Sequence, residues 1–306
     1  MPLIRAFASS FALAFGALAL ATGFLSAGTV ASSSDTGSGA HRTVTAALTI
    51  PAGSIGVTWA PATTAGIHPG IQLITGGAQC TSNFIYSDGT AVFVGMAAHC
   101  AGTGGNTATN GCSSPSLPVG TPVQIQGASQ PGTLVYSSWL TMQTDHESDP
   151  TVCQYNDLAL VQVDTADIGN VNPSVPTWGG PSGLDASGTK SGEQLYAYGD
   201  SELYAGLPVG AMEGFSLGDT GNGWSTSVDT VLPGVPGDSG SGFLDSHGNA
   251  LGVLSTLDAG IPGGVFNGVG NLDLELQFLH SHSSFGAVQL VEGTVPFNPN
   301  QLPLGL

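Results

Sequence analysis

The sequence predicts an all-β protein of many short strands, closed by a single helix. Three observations predict it. Gly 47 and Pro 19 in 306 residues break the chain into short segments, and helix-forming runs are scarce between them. A hydrophobic share of 41% still supplies enough apolar side chain for a core. The apolar runs themselves are of strand length and are bounded by turn residues.

In chain order, Arg5 is followed by Ala6 through Ser34 without a charged side chain, in a stretch rich in Ala, Leu and Phe that ends in small residues. Residues 1–31 therefore read as a secretory signal peptide cut after Thr29-Val30-Ala31. Residues 32–69, rich in Ser, Thr, Ala and Gly, are expected to form a pro-segment or flexible N-terminal extension. The body is expected over 70–290 and a tail over 291–306. Phe84-Ile85-Tyr86 and Ala91-Val92-Phe93-Val94 flank Asp88-Gly89, a hairpin signal. Further strands are expected at Val119–Gln126, Leu158–Val163, Gln194–Tyr198, Trp224–Leu232, Gly242–Leu244 and Ala250–Leu254. The Pro- and Gly-containing stretch Asp164–Lys190 would join two halves. Only Leu272–His282 carries a helical spacing, through Leu272, Leu276 and Leu279. No internal repeat at a fixed period marks a solenoid or propeller.

Three Lys+Arg stand against 21 Asp+Glu, a formal net charge of −18. Binding to nucleic acid or an anionic membrane needs clustered cations, so both are excluded as partners. Export would turn Cys80, Cys100, Cys112 and Cys153 into two disulfides; four cysteines allow three pairings, and sequence order favours Cys80–Cys100 with Cys112–Cys153.

Three short strings carry chemistry. Ala97-Ala98-His99-Cys100 sets a histidine after an apolar strand, Asn156-Asp157-Leu158-Ala159-Leu160 sets a carboxylate at the mouth of another, and Gly237-Asp238-Ser239-Gly240 sets a serine in a glycine-bracketed turn. Together they can form a triad in which His99 takes the Ser239 proton and Asp157 fixes the imidazole and stabilises its cation. The amides of Gly237 and Ser239 would bind the oxyanion, a contribution of roughly 3–4 kcal/mol per donor.

In these strings and their order, His then Asp then Ser, the chain resembles the chymotrypsin-like serine proteases, above all the secreted bacterial trypsin-like branch. The resemblance covers about residues 70–285. It implies two antiparallel six-stranded β-barrels with the triad between them and a C-terminal helix, here Leu272–His282. It also supports Cys80–Cys100 as the disulfide beside the catalytic His. Leu254-Ser255-Thr256-Leu257 looks like the strand edge that pairs with substrate backbone, with Ser255 behind the triad, and Pro262-Gly263-Gly264-Val265-Phe266 resembles a wall of the specificity pocket.

The departures are as informative. Pro233 stands six residues before Ser239, where cleavage after Lys or Arg would need an Asp, and Leu257 stands where the family usually has Gly. Small or apolar side chains are therefore expected to be preferred, with Pro233, Ser255, Thr256, Leu257 and Gly264 as substrate-binding positions. Val235 occupies a usual Cys position, and Ser241-Gly242 replaces Gly-Pro. No Ile-Val-Gly-Gly start is present, which leaves Gly70-Ile71 as a faint counterpart and the partner of Asp238 open.

Other motifs weigh less. Gly199-Asp200-Ser201 resembles the opening of SGNH-type esterases but lies mid-chain with no Asp-x-x-His near the end. Asp145-His146-Glu147-Ser148-Asp149 reads as a solvated acidic loop before it reads as a calcium site, and His280-Ser281-His282 lacks the further ligands a metal needs. The expected protein is thus a secreted, monomeric serine endopeptidase acting on a protein or peptide, without cofactor or metal. A protease-fold binding protein with little turnover is the alternative.

Overall fold

The computed structural model describes residues 49–105, 108–204, 210–231, 233–259 and 265–301. The expected signal peptide lies outside them, as do Pro262, Gly263 and Gly264. All the described residues belong to one unit, Val44–Leu306.

The chain is all-β with a helix near its end. In order it forms β1 (Thr49–Ile50), β2 (Gln72–Thr75), β3 (Ala78–Thr81), β4 (Ile85–Ser87), β5 (Val92–Ala97), β6 (Pro122–Ile125), β7 (Gly132–Ser137), α1 (Ser138–Thr144), α2 (Pro150–Tyr155) and β8 (Leu158–Gln162). The second half holds β9 (Gln194–Tyr198), β10 (Ala211–Thr220), β11 (Ser225–Thr230), β12 (Gly242–Leu244), β13 (Ala250–Ala259), β14 (Val265–Asn271), α3 (Leu272–His282) and β15 (Gln289–Val291). β1 to β8 and, from the end of the chain, β15 build a nine-stranded sheet in the order β1, β15, β4, β5, β8, β7, β6, β2, β3, while β10, β11, β14, β13, β12 and β9 close a barrel.

Burial explains which strands are central. All six residues of β5 are buried, and so are the first four of β8, its antiparallel neighbour. A strand covered on both faces reads as a continuous apolar run, which is how Val92–Ala97 and Leu158–Val161 are written. The Asp88-Gly89 hairpin is formed: β4 pairs with β5, Gly89 takes φ 87°, and Asp88 Oδ1 accepts from the Thr90 and Ala91 amides at 2.8 Å. Asp164–Lys190 connects the halves without a strand.

Residues 49–69 are packed on the body. β1 pairs parallel with β15, Ile67 is fully buried, and Trp59 Nε1 donates to Ala52 O. The chain beyond Val291 packs too, with Phe297 edge-on to Tyr196 and the Asn298 amide donating to Trp178 O.

Two helices join the expected α3. α2 begins with Asp149 as N-cap, whose Oδ1 accepts from the Thr151 amide, and with Pro150 in the first turn. That start signal sits inside the acidic string 145–149. α1 buries Trp139 and Met142, three positions apart, and has no side-chain cap. Two buried apolar residues in seven carry too little periodicity to be read from sequence.

Candidate active site

β5 runs into a 3-10 turn, Ala98–Ala101, that carries His99 out of the sheet. Its neighbour in the sheet, β8, begins one residue after Asp157, so strand pairing brings the two together. The Asp157 carboxylate accepts three hydrogen bonds: from His99 N at 2.8 Å, from His99 Nδ1 at 2.6 Å and from Ser255 Oγ at 2.6 Å. Asp157 O in turn accepts from Ala98 N at 2.8 Å. The imidazole is thus tied at Nδ1, which leaves Nε2 as a proton acceptor. Burial disfavours the imidazolium, but the Asp157 charge and hydrogen bond outweigh it and raise the His99 pKa above its ordinary value. The side chain stays 26% exposed, so substrate can reach it.

Ser239 stands beside this pair. Its carbonyl accepts from Thr81 N at 2.8 Å and lies 4.0 Å from Cys100 Sγ. Cys80 and Cys100 are disulfide-bonded, as are Cys112 and Cys153. The first disulfide therefore fastens the His99 turn to β3 next to Ser239. Half-buried Ser239 makes no side-chain hydrogen bond to a described residue.

The loop around Ser239 is pinned through its carbonyls. Ser201 Oγ donates to Pro236 O at 2.6 Å, Thr81 Oγ1 to Gly237 O at 2.7 Å, Ser241 Oγ to Asp238 O at 2.6 Å and Thr81 N to Ser239 O. The Gly240 amide is spent on Leu254 O. The Gly237 and Ser239 amides donate to no described residue, which leaves the two donors an oxyanion needs. Gly237 adopts φ 104°, a conformation that side chains disfavour, and a Cβ on Gly240 would strike Thr81 O.

Asp238 is fully buried within this loop. Its Oδ2 accepts from Val235 N at 3.0 Å, while Oδ1 has no protein partner among the described residues. Burial raises its pKa; the Val235 and Ser201 amides oppose that, and Asp200 adds to it. The amides of Gly70 and Ile71, the faint counterpart of a freed start, donate to Ser82 O and Ser82 Oγ.

Of the positions expected to bind substrate, Ser255 donates to Asp157, and Thr256 and Leu257 follow it on β13, paired with Gly268 and Asn267 of β14. Leu257 is 48% exposed. Next to Pro233, the Gly234 amide donates to Oδ1 of buried Asn267, whose Nδ2 donates to Thr230 Oγ1. A Cβ on Gly234 would sit 2.9 Å from Leu254 Cδ2, so Leu254 and Asn267 wall this side. Gly264 lies outside the described residues.

Cys80, His99 and Cys100 are the only possible metal-binding group among the described residues, and the disulfide consumes both thiols. The acidic string serves structure: Asp145 accepts from His282 Nδ1 at 2.9 Å, Glu147 accepts from the Ser148 and Asp149 amides, and Asp149 caps α2. His280 Nε2 meets Val288 O. Of Gly199-Asp200-Ser201, Ser201 is a brace of the serine loop.

Sequence reasoning missed Thr81 and Asn267, read Ser201 only within an esterase-like string and took Leu254 only as part of a strand edge. None of them had a local signal for the role it plays.

No family model matches the chain, and no curated protein matches it. Solved structures do. Protease A of Thermobifida fusca is 19% identical with a TM-score of 0.46, over 74% of this chain and 99% of that one. Nocardiopsis protease is 20% identical at 0.45, over 74% and 98%. Cellulomonas bogoriensis chymotrypsin is 17% identical at 0.42, over 73% and 97%. Identity at this level speaks to fold alone.

Proposed function

We propose that the chain is a secreted serine endopeptidase that cleaves peptide bonds through Ser239, His99 and Asp157. One observation carries the reading. An imidazole tied at Nδ1 to a buried carboxylate stands beside a serine loop whose carbonyls are pinned and whose Gly237 and Ser239 amides are free.

In the reaction, Ser239 Oγ attacks the scissile carbonyl as His99 Nε2 takes its proton. The carbonyl oxygen, now an anion, is held by the Gly237 and Ser239 amides. His99 returns the proton to the leaving amine, and water then hydrolyses the acyl-enzyme by the same route. Asp157 orients the ring and stabilises its cation throughout. No step calls on a cofactor.

The preference is for small or apolar side chains before the scissile bond. Pro233 offers no charge, Leu254 and Asn267 wall the space beside Gly234, and Leu257 projects from β13. The signal sequence and the two disulfides support an extracellular location, and no described helix is long and apolar enough to cross a membrane.

A fluorophosphonate probe tests the reading. It should label the mature protein at Ser239 and fail on Ser239→Ala, with turnover of peptide substrates lost in the same variant. Absence of labelling together with undiminished biological effect of Ser239→Ala would leave the binding-protein alternative standing. A peptide-library profile dominated by Lys or Arg would overturn the specificity.

A further inference from the structure

Behind the triad lies a carboxyl that the hydrolysis does not use. Glu275, near the start of α3, is fully buried, and its Oε1 accepts the backbone N–H of Asp157 at 2.9 Å. The Asp157 carbonyl in turn accepts from Ala98 N, at the base of the turn that bears His99. The Asp157 main chain is therefore gripped from both sides: its amide by the closing helix, its carbonyl by the histidine turn. Any displacement of that main chain moves the carboxylate relative to both His99 donors.

We propose that Glu275 is a positioning residue of the triad, its carboxyl fixing through the Asp157 amide the segment that aims Asp157 at His99. The proposal deepens the peptidase reading and rests on it. The structure makes room for the contact: a Cβ on Gly270 of β14 would come within 2.8 Å of Glu275 Oε1, so glycine there leaves the carboxyl in reach of Asp157.

Its chemistry differs from that of Asp157. The groups facing it are Asp157 ahead of β8, Tyr86 on β4 and Tyr136 on β7; none is a cation. Lys190 is the sole Lys or Arg among the described residues, and it is exposed. Glu275 Oε2 has no protein partner among them. An ionised carboxylate served by one amide, buried next to a second carboxylate, is costly, whereas a neutral acid offers the same accepting oxygen without the charge. Burial foremost, then the neighbouring Asp157 charge, holds the Glu275 pKa well above the usual glutamate range against the pull of the amide bond. The Tyr86 and Tyr136 hydroxyls are pushed up chiefly by burial. Glutamine supplies the same carbonyl-type acceptor, so it is the discriminating replacement.

The experiment compares Glu275→Leu and Glu275→Gln in the mature enzyme by kcat and KM across pH and by the NMR resonance of the His99 Nδ1 proton. Losing the contact should lower kcat about tenfold or more in Glu275→Leu with KM unchanged, in line with residues that orient an active-site group. Its Nδ1 resonance should broaden or shift. Glu275→Gln should recover most of kcat and the resonance, with the acid limb of the profile unmoved. The proposal is overturned by wild-type kcat and resonance in a folded Glu275→Leu, by a Gln variant as impaired as Leu, or by a Gln variant whose acid limb moves to lower pH, the mark of a lost negative charge. If Leu fails to fold, the Gln variant alone decides through those last two outcomes. Wild-type protein without labelling or turnover would instead sink the peptidase reading, and the NMR arm would still judge Glu275.

Discussion

Asp157 and Asp238 are both buried, both within the candidate site, and provided for in opposite ways. Three donors from two segments converge on Asp157, and one of them is the imidazole it serves. Asp238 receives one close amide at Oδ2, keeps an unpartnered Oδ1, and has its pKa raised chiefly by burial. In a chain with three Lys+Arg, buried carboxyls must be stabilised by neutral groups. Where enough of these converge, the carboxylate can work on a histidine. Where they do not, the loop is held by other means, here the hydroxyls of Thr81 and Ser201.

The comparison breaks most visibly at Asp157. Asp157→Asn should lower kcat/KM by about 10³–10⁴-fold, since the amide leaves His99 in the wrong tautomer; a drop smaller than tenfold in steady-state assays would contradict its role. Next comes Thr81. Thr81→Val should reduce kcat by roughly tenfold or more by freeing the Gly237 carbonyl and misaiming the oxyanion amides, while Thr81→Ser should restore most of it. Binding of a boronate transition-state analogue should weaken in parallel.

A smaller effect is read in the pH profile. Because Asp157 raises the His99 pKa, the acid limb of kcat/KM should have its midpoint above the ordinary imidazole value. The sign for stability is opposite to that for activity. A raised imidazole pKa stabilises the fold fully below the ordinary value, and that contribution is lost as pH rises through the shifted one. The proposed peptidase would therefore work where part of this stabilisation has been given up. The smallest effect is at Asp238: Asp238→Asn should cut kcat/KM no more than a few-fold. A raised carboxyl pKa likewise favours the fold below the ordinary aspartate value and loses that benefit as pH rises through the shifted one. The melting temperature of Asp238→Asn relative to wild type should therefore climb between pH 4 and pH 7; an unchanged difference would place a stabilised charge on Asp238.

What could be read from the sequence was local. His99, Asp157 and Ser239 each sit in a short string because a strand end or a glycine turn sets their geometry within a few residues. α3 announces itself by spacing, and the Asp88-Gly89 hairpin by its turn. The supporting residues do not, because their partners are remote: Thr81 acts 156 positions from Gly237, and Glu275 acts 118 from Asp157. No single segment records that a threonine after a disulfide cysteine braces the serine loop, or that a helix glutamate ends against the Asp157 amide. Those contacts exist only once the barrel and the sheet have closed.

The pairing of β1 with β15 limits where the chain could be cut and stay fastened. Thr49 and Ile50 lie alongside Leu290 and Val291, Glu292 N donates to Ile50 O, and Thr49 Oγ1 donates to Glu292 Oε1. The two ends of the folded body form a clasp. A processing cut upstream of Thr49 leaves it whole, whereas one after Ile50 removes a strand of the sheet and both of these hydrogen bonds. The fold thereby sets its own limit on trimming: the first strand marks the latest residue at which the mature chain can begin and still be fastened at both ends.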